Sequence, residues 1–489
     1  MSKEQELYMN ANKEIEKRKY RIDEDYYRLN YHLMPPVGFM NDPNGFINFK
    51  EEYHIFYQFN PFYPAGKKVY WGHYKSSDLI NWQPMPIALC PSEWYETHGC
   101  YSGSAVSVDG KMTLMYTGNV KDENNNRETY QCLAHSSDGI TFTKNENNPV
   151  ICNQPKGYTR HFRDPKVWRH NDLWYMVLGA QTEALKGTAL IYSSEDLKEW
   201  SMLGEAAGSN NKDLSFLGYM WECPNIFSVD GEDILMFCPQ GVQAQGDLYN
   251  NIYQCGYLMG KLNYETGKLS YGEFIELDRG FEFYAPQITK DIKGRTLISG
   301  WMGLPEEEEA PTAEKGWLHC LTMMRELKIK ERKLIQLPIE ETKLLRKKEI
   351  SYSQVIASDE SVSFEGICGD SYELLCNISW EKTESFGIRL RCNSKLQEET
   401  LIYYSSREEK LVLDRNRSGM CKQGIRRCSI KNNGKLNLRI FMDKSSIEIF
   451  VNEGEEVFTS RIYPSKESQG IEFFSIGGEI DLDINFWQI

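Results

Sequence analysis

No stretch of this 489-residue chain is apolar for long enough to cross a bilayer. Met1 to Arg21 is charged throughout and lacks the apolar segment of a secretory leader. The 13 cysteines are odd in number, scattered, and contain no C-x-x-C pair, which argues against a disulfide scaffold. Neither they nor the 8 histidines cluster at zinc-binding spacings, so no metal and no cofactor is expected. Positive charge is also short. A formal net charge of -14 disfavours nucleic acid and anionic membranes as partners. These absences predict a cytoplasmic protein with reduced, mostly buried thiols; they leave its oligomeric state open.

Aromatic residues are plentiful at 13%, with 29 Tyr and 11 Trp, which favours an all-β chain and suits stacking against sugar rings. The length favours two domains. Short motifs recur about every sixty residues through the first two thirds, the mark of a repeated structural unit. They are Asn41-Asp42-Pro43-Asn44-Gly45, Tyr101-Ser102-Gly103-Ser104-Ala105, Arg163-Asp164-Pro165, Trp221-Glu222-Cys223-Pro224 and Phe283-Tyr284-Ala285-Pro286. A second series lies between them: Ser76-Ser77-Asp78-Leu79 before Trp82, Ser136-Ser137-Asp138-Gly139 before Phe142, and Ser193 to Leu197 before Trp200. A short apolar strand follows each opening motif, as the second strand of a four-stranded blade would. Five units make a five-bladed β-propeller.

Residues 341–357, with Lys343, Arg346, Lys347 and Lys348, read as a linker. Beyond it the opening motifs stop but alternating strands continue, as in Phe386-Gly387-Ile388-Arg389-Leu390, which suggests a β-sandwich. The expected division is a helical arm at 1–30, exposed and carrying i,i+4 charge pairs, a propeller at 31–340, the linker, and a sandwich at 358–489. Glu306 to Glu309 reads as a solvated acidic turn.

Alone, Asp-Pro and Asn-Gly are ordinary turn signals, and Arg163-Asp164-Pro165 could be a surface salt-bridged turn. Their shared place in successive repeats is what brings Asp42, Asp164 and Glu222 to the mouth of one channel. Glycoside hydrolysis needs one carboxylate and one carboxylic acid. Glu222, between Trp221 and Cys223-Pro224, is expected to be held protonated by an apolar setting, and Asp164 beside Arg163 to stay ionised. Asp42, on a tight turn beside Asn41, suits the carboxylate.

The run Phe39 to Gly45, Tyr57-Gln58-Phe59-Asn60-Pro61, Trp71-Gly72-His73, Tyr101 to Ala105, Phe162 to Pro165 and Trp221 to Pro224 resembles glycoside hydrolase family 32, the family of invertases, sucrose-6-phosphate hydrolases, levanases and inulinases. The likeness continues through Phe283 to Gln287, Gly300 to Gly303, Gly316-Trp317 and Arg325-Glu326-Leu327 to Asp443–Phe450. It implies a retaining β-fructofuranosidase with Asp42 as nucleophile, Glu222 as acid/base and Asp164 holding fructose hydroxyls. Asn41, Gln58, Trp71, Tyr101, Ser102, Arg163, Tyr284 and Trp301 match positions that line or adjoin the sugar. Phe39 and Tyr101 depart from the residues usual there.

With a cytoplasmic location the resemblance implies sucrose 6-phosphate as substrate, with sucrose poorer; a plain intracellular invertase or a hydrolase of short fructo-oligosaccharides is the alternative. Arg160, His161 and Lys315 are candidate phosphate donors, against the plainer reading that each is a surface charge. More distant rivals are a non-catalytic sugar-binding propeller and the inverting five-bladed arabinan- or xylan-cleaving enzymes.

Overall fold

The computed structural model describes residues 1–66, 68–431 and 433–489. Five antiparallel sheets follow one another along the first two thirds of the chain. Their first strands are Gly38–Phe49, Gly99–Val108, Tyr158–His170, Met220–Val229 and Tyr284–Lys290, and these pack against one another as the hub of a five-bladed propeller. The ring closes with Trp317–Leu318, which pairs parallel to Gly38–Phe49 in the sheet of blade 1.

Each opening motif coincides with a register shift in its inner strand, between Met40 and Pro43, Tyr101 and Gly103, Arg163 and Lys166, Glu222 and Asn225, and Tyr284 and Gln287. Four of these bulges hold a proline, which lacks an N–H and is tolerated where the ladder is already broken. Asp164, Cys223 and Ala285 there adopt left-handed backbone (φ +67°, +47° and +46°). A bulge bends the strand and re-aims a side chain; here it turns motif side chains into the channel mouth.

Motif residues also stitch blade to blade. Gly103 N donates to Asn44 Oδ1 (3.2 Å), Val167 N to Ser104 Oγ (3.0 Å), Asp164 N to Thr117 Oγ1 (3.0 Å), and Asn225 Nδ2 to the Pro286 carbonyl (3.0 Å). The second motif series forms the outer turns of blades 1 to 3. Ser76, Ser136 and Ser194 Oγ each accept the N–H three residues on, at Leu79, Gly139 and Leu197. Those three residues have φ of +66° to +76°. The tryptophans Trp82 and Trp200 donate back to the Leu79 and Leu197 carbonyls (2.9 Å each).

Two six-stranded sheets make the C-terminal sandwich. Phe386, Ile388 and Leu390 point into its core as the alternation predicts. Glu349–Ile356 differs from expectation: it pairs along its whole length with Ile480–Gln488, so the second half of the expected linker is an edge strand of the sandwich. Its Lys-rich flank hid a short alternating strand. The N-terminal arm differs too. Helix Lys3–Asp23 opens with a Ser2/Gln5 capping box, buries Ala11 and Ile22, and lays Leu7, Tyr8 and Ile15 on blade 1. Arg18 then donates to the carbonyls of Pro61, Tyr63 and Gly316 (3.1, 3.1 and 2.8 Å). It is a strap rather than an exposed arm, because its sparse apolar residues share one face.

A buried charge network joins propeller to sandwich. His32 Nδ1 meets Asp443 (2.8 Å) and Nε2 meets Glu448 (2.9 Å). Arg325 donates to Glu448 Oε2 through Nε (3.0 Å), and to Asp278 (3.2 Å), Gln336 (2.8 Å) and Thr459 (2.6 Å). This explains why Ser446–Val451 is buried on both faces: Ile447, Ile449 and Val451 enter the sandwich core, while Glu448 and Phe450 face the propeller.

Burial opposes protonation of His32, but hydrogen bonds and charge from Asp443 and Glu448 outweigh it and raise its pKa to about 9. A raised imidazole pKa contributes stability that is complete below the unfolded value, about 6.5, and lost as pH climbs through about 9. The shift corresponds to about 3 kcal/mol. Replacing His32 by Gln is expected to lower the thermal midpoint most at pH 6 and least above pH 9; a deficit that does not vary with pH would refute the charged pairing.

Candidate active site

The inner strands of blades 1, 3 and 4 deliver Asp42, Asp164 and Glu222 to a cavity of about 430 Å³ at the channel mouth. Asn41, Gln58, Tyr101, Arg163, Tyr284 and Trp301 line the same cavity. Ser102 and Trp71 stand behind it, both fully buried. Ser102 Oγ donates to Asp42 Oδ2, and Trp71 Nε1 to the Tyr101 carbonyl (3.1 Å). A larger groove of about 570 Å³ between Lys330, Asn377, Lys435 and Asp483 has neither an aromatic wall nor convergent carboxylates on the hub. Chemistry points to the mouth.

Asp42 is clamped. Its Oδ2 accepts from Ser102, from Gln58 Nε2 (3.2 Å) and from the Cys223 thiol (3.5 Å), whereas among the described residues Oδ1 accepts only from Asn41 Nδ2 (3.2 Å). Asn41 in turn donates to Gln58 Oε1 (3.0 Å). Burial and the charge of Glu222 raise the Asp42 pKa to about 6, against those hydrogen bonds. Asp164 accepts the Cys223 N–H (3.1 Å) and lies 3.8 Å from Arg163. Burial, with the charges of Glu222 and Asp42, lifts it to about 7 despite Arg163.

Glu222 departs from the sequence expectation. Burial works to raise its pKa, but the Arg163 guanidinium and the Tyr284 hydroxyl hold it below the usual carboxylate range. Arg163 donates to Oε1 through both Nε (3.2 Å) and Nη2; Tyr284 (2.7 Å) and Gln240 (2.8 Å) donate to Oε2. The apolar neighbours do not surround the carboxyl because side chains alternate along a strand. Trp221 instead turns away to stack on Phe237 at 3.9 Å between ring centroids. Asp164 departs in the opposite sense, since Arg163 gives its closest contacts to Glu222. Asp164 and Glu222 therefore titrate as a coupled pair in which Arg163 favours the ionised form of Glu222.

Several lining residues lie outside the candidates drawn from the motifs: Asn60, Tyr63, Arg127, Glu306 and Glu308. The acidic turn expected to be solvated contributes two of them, and Tyr253 fixes Glu306 by donating to it (2.8 Å). Arg127 opens the third strand of blade 2, Arg127–Ser136, at a position outside both repeat series. Of the candidate phosphate donors, His161 faces Arg163 Nη1 (3.0 Å), and burial with that neighbouring cation lowers its pKa to about 4. Arg160 lies 3.8 Å from Glu128, and Lys315 ends the short helix Pro311–Lys315; neither lines the cavity.

Losing the Ser102 hydroxyl removes a hydrogen bond that favours ionised Asp42. Ser102→Ala should therefore raise the Asp42 pKa above about 6 and move the acid limb of kcat/KM to higher pH. An acid limb that stays in place separates Ser102 from Asp42.

The chain matches the model described as glycosyl hydrolases family 32 N-terminal domain over residues 32–338, and that of the family 32 C terminal over residues 341–488. It is 42% identical to a sucrose-6-phosphate hydrolase of Bacillus subtilis, over 99% of both chains. It is 41% identical to one of Salmonella typhimurium, over 91% of this chain and 90% of the other. Its fold is similar to a sucrose-6-phosphate hydrolase from Lactobacillus gasseri (TM-score 0.89, 32% identity, 98% of this chain and 96% of that one). It is also similar to a Bombyx mori family 32 β-fructofuranosidase mutant in complex with sucrose (TM-score 0.85, 33% identity, 98% and 97%). With a five-bladed propeller, an appended sandwich and three acids at one mouth, the chain belongs to glycosyl hydrolase family 32.

Proposed function

We propose that this protein is a β-fructofuranosidase of the sucrose-6-phosphate hydrolase type, which releases fructose from sucrose 6-phosphate and, less efficiently, from sucrose. The observation that carries the reading is the convergence of Asp42, Asp164 and Glu222 in one cavity with Arg163 between the last two. The relatives named above support the substrate class. We further take the catalytic unit as residues 31–340, the sandwich as its C-terminal support, and the cytoplasm as its location.

The reaction is a double displacement that retains anomeric configuration. Asp42 Oδ1, the less encumbered oxygen, attacks C2 of the fructosyl unit as the bond from C2 to the glycosidic oxygen breaks. Glu222 gives its proton to that departing oxygen, and the glucosyl product leaves. Water then loses a proton to Glu222, its oxygen bonds to C2, and the bond to Asp42 breaks. Asp164 accepts fructose hydroxyls and, in doing so, favours its own ionised form. Arg163 grips Glu222 in the free site, so the acid step requires that grip to loosen. Sugar hydroxyls that engage Arg163 and Asp164 provide the exchange, delivering the site's proton to Glu222.

Asp42→Asn and Glu222→Gln are each expected to lower kcat by roughly two to four orders of magnitude, with unchanged thermal midpoints. Native kcat/KM should follow a bell whose acid limb lies near 6, where Asp42 protonates and its nucleophilic form is lost. Glu222→Gln should abolish the alkaline limb of the residual activity. A folded Asp42→Asn enzyme with near-native turnover, or an alkaline limb that survives in Glu222→Gln, assigns these roles elsewhere. A charge-assisted bond to phosphate should favour sucrose 6-phosphate over sucrose by roughly ten- to a hundredfold in kcat/KM. Equal values would leave a plain invertase.

A further inference from the structure

Five carboxylates and two guanidinium groups line the catalytic cavity: Asp42, Asp164, Glu222, Glu306 and Glu308 against Arg127 and Arg163. The two arginines differ in kind. Arg163 is buried and committed to Glu222, with Asp164 3.8 Å away. Arg127 has no such commitment. Among the described residues no carboxylate lies within 4.0 Å of its guanidinium and no acceptor within hydrogen-bond reach. Its guanidinium lies over the face of the Tyr101 ring, 5.3 Å from the centroid. The neighbouring Arg160 turns instead to Glu128.

A partly buried cation without a counter-ion is unfavourable, more so beside a second guanidinium. Burial and the charge of Arg163 do lower the Arg127 pKa, but arginine stays charged at any physiological pH. Such a group is satisfied when a ligand brings an anion to it. Its place also fixes which part of the ligand that is. The nucleophile Asp42 comes from blade 1 and is held by Gln58, Asn41 and Ser102. Arg127 lines the same cavity as Glu222, and both Glu222 and Asp164 feel its charge. Because Glu222 protonates the leaving oxygen, the leaving sugar lies next to it, within the cavity that Arg127 lines.

We propose that Arg127 receives the phosphate of the leaving sugar and sets the preference for phosphorylated over neutral substrate. This rests on the function proposed above. The fork of Arg127 matches phosphate oxygens bidentately, and the Tyr101 ring beneath it keeps the guanidinium plane oriented. His161, neutral at working pH, adds no competing charge. Arg127 gives specificity and takes no part in breaking the bond.

The test compares kcat/KM on sucrose 6-phosphate and on sucrose for the native protein, Arg127→Gln and Arg127→Lys, with thermal midpoints recorded for each. The native ratio should be roughly ten to a hundred. Arg127→Gln should bring it near one, chiefly through a higher KM for the phosphorylated sugar. Arg127→Lys, a point charge without the fork, should keep part of it. Inorganic phosphate should inhibit sucrose cleavage competitively in the native protein and several-fold less in Arg127→Gln. A native ratio above ten that persists in Arg127→Gln overturns the assignment to Arg127 and leaves the proposed substrate standing. A native ratio near one removes the phosphorylated substrate itself, and the role of Arg127 with it. An equal loss on both substrates, at an unchanged midpoint, would make Arg127 a general contributor to turnover and also overturn the proposal.

Discussion

The active site depends on a conflict at the start of every blade. An inner strand must pair outward with its neighbour, yet its first residues must also aim side chains at the channel axis. Regular pairing would alternate those side chains between the two faces of the blade. The bulge resolves the conflict by removing one residue from the ladder, and it does so in all five blades. Asp42, Tyr101, Arg163, Glu222 and Tyr284 reach one cavity because the same irregularity is repeated five times around a ring. The catalytic spacing is thus a property of the closed ring, and whatever holds the ring closed holds the chemistry in place. Trp317–Leu318 does so within blade 1, with Arg18 of the N-terminal helix bonded to the adjacent Gly316 carbonyl.

The sandwich is coupled to that ring through buried ions rather than through an apolar seam alone. Arg325 lies in the third strand of blade 5 and reaches Glu448 of the sandwich, which also meets His32 at the entry to blade 1. Glu282, just before the inner strand of blade 5, receives Arg415 at 2.6 Å from the sandwich. Removing one member of such a network leaves an uncompensated buried charge, at a cost of about 3–5 kcal/mol. The geometry is directional, so it fixes the angle of the sandwich against blades 5 and 1 more tightly than apolar contact would.

The repeat made the propeller legible in the sequence. Proline and small residues at a fixed period mark the bulges, and Ser-x-Asp turns mark the outer corners. The residues that could not be read are those placed by tertiary contact alone. Arg127 sits in no motif and reaches the cavity from the start of the third strand of blade 2. Glu306 and Glu308 are solvent-exposed, as a run of acids usually is, and they also border the cavity, which no local signal announces. Local sequence also misjudged the protonation of Glu222. Flanking residues suggested an apolar setting, but neighbours in a strand face away from each other, and the charge that governs Glu222 lies in the next blade. The N-terminal helix misled for a related reason: its charged face dominates the composition, while a few apolar residues decide where it packs.

An acidic protein that acts on the anionic substrate proposed above must reverse its field locally. The chain carries a formal charge of -14, and carboxylates outnumber guanidinium groups in the cavity. A phosphorylated sugar approaching that mouth meets repulsion over the Debye length, about 8 Å at physiological salt. Arg163 cannot offset it, since its charge is spent on Glu222 and Asp164, and diverting it would disturb the acid that the reaction needs. The offsetting charge must therefore come from a cation with no structural partner, near the leaving-group side and partly exposed to the mouth. Arg127 meets those conditions. The proposed division of labour between the two arginines, one tuning the catalytic acid and one receiving the substrate's charge, lets a strongly acidic pocket keep its carboxylates for chemistry while still admitting an anion.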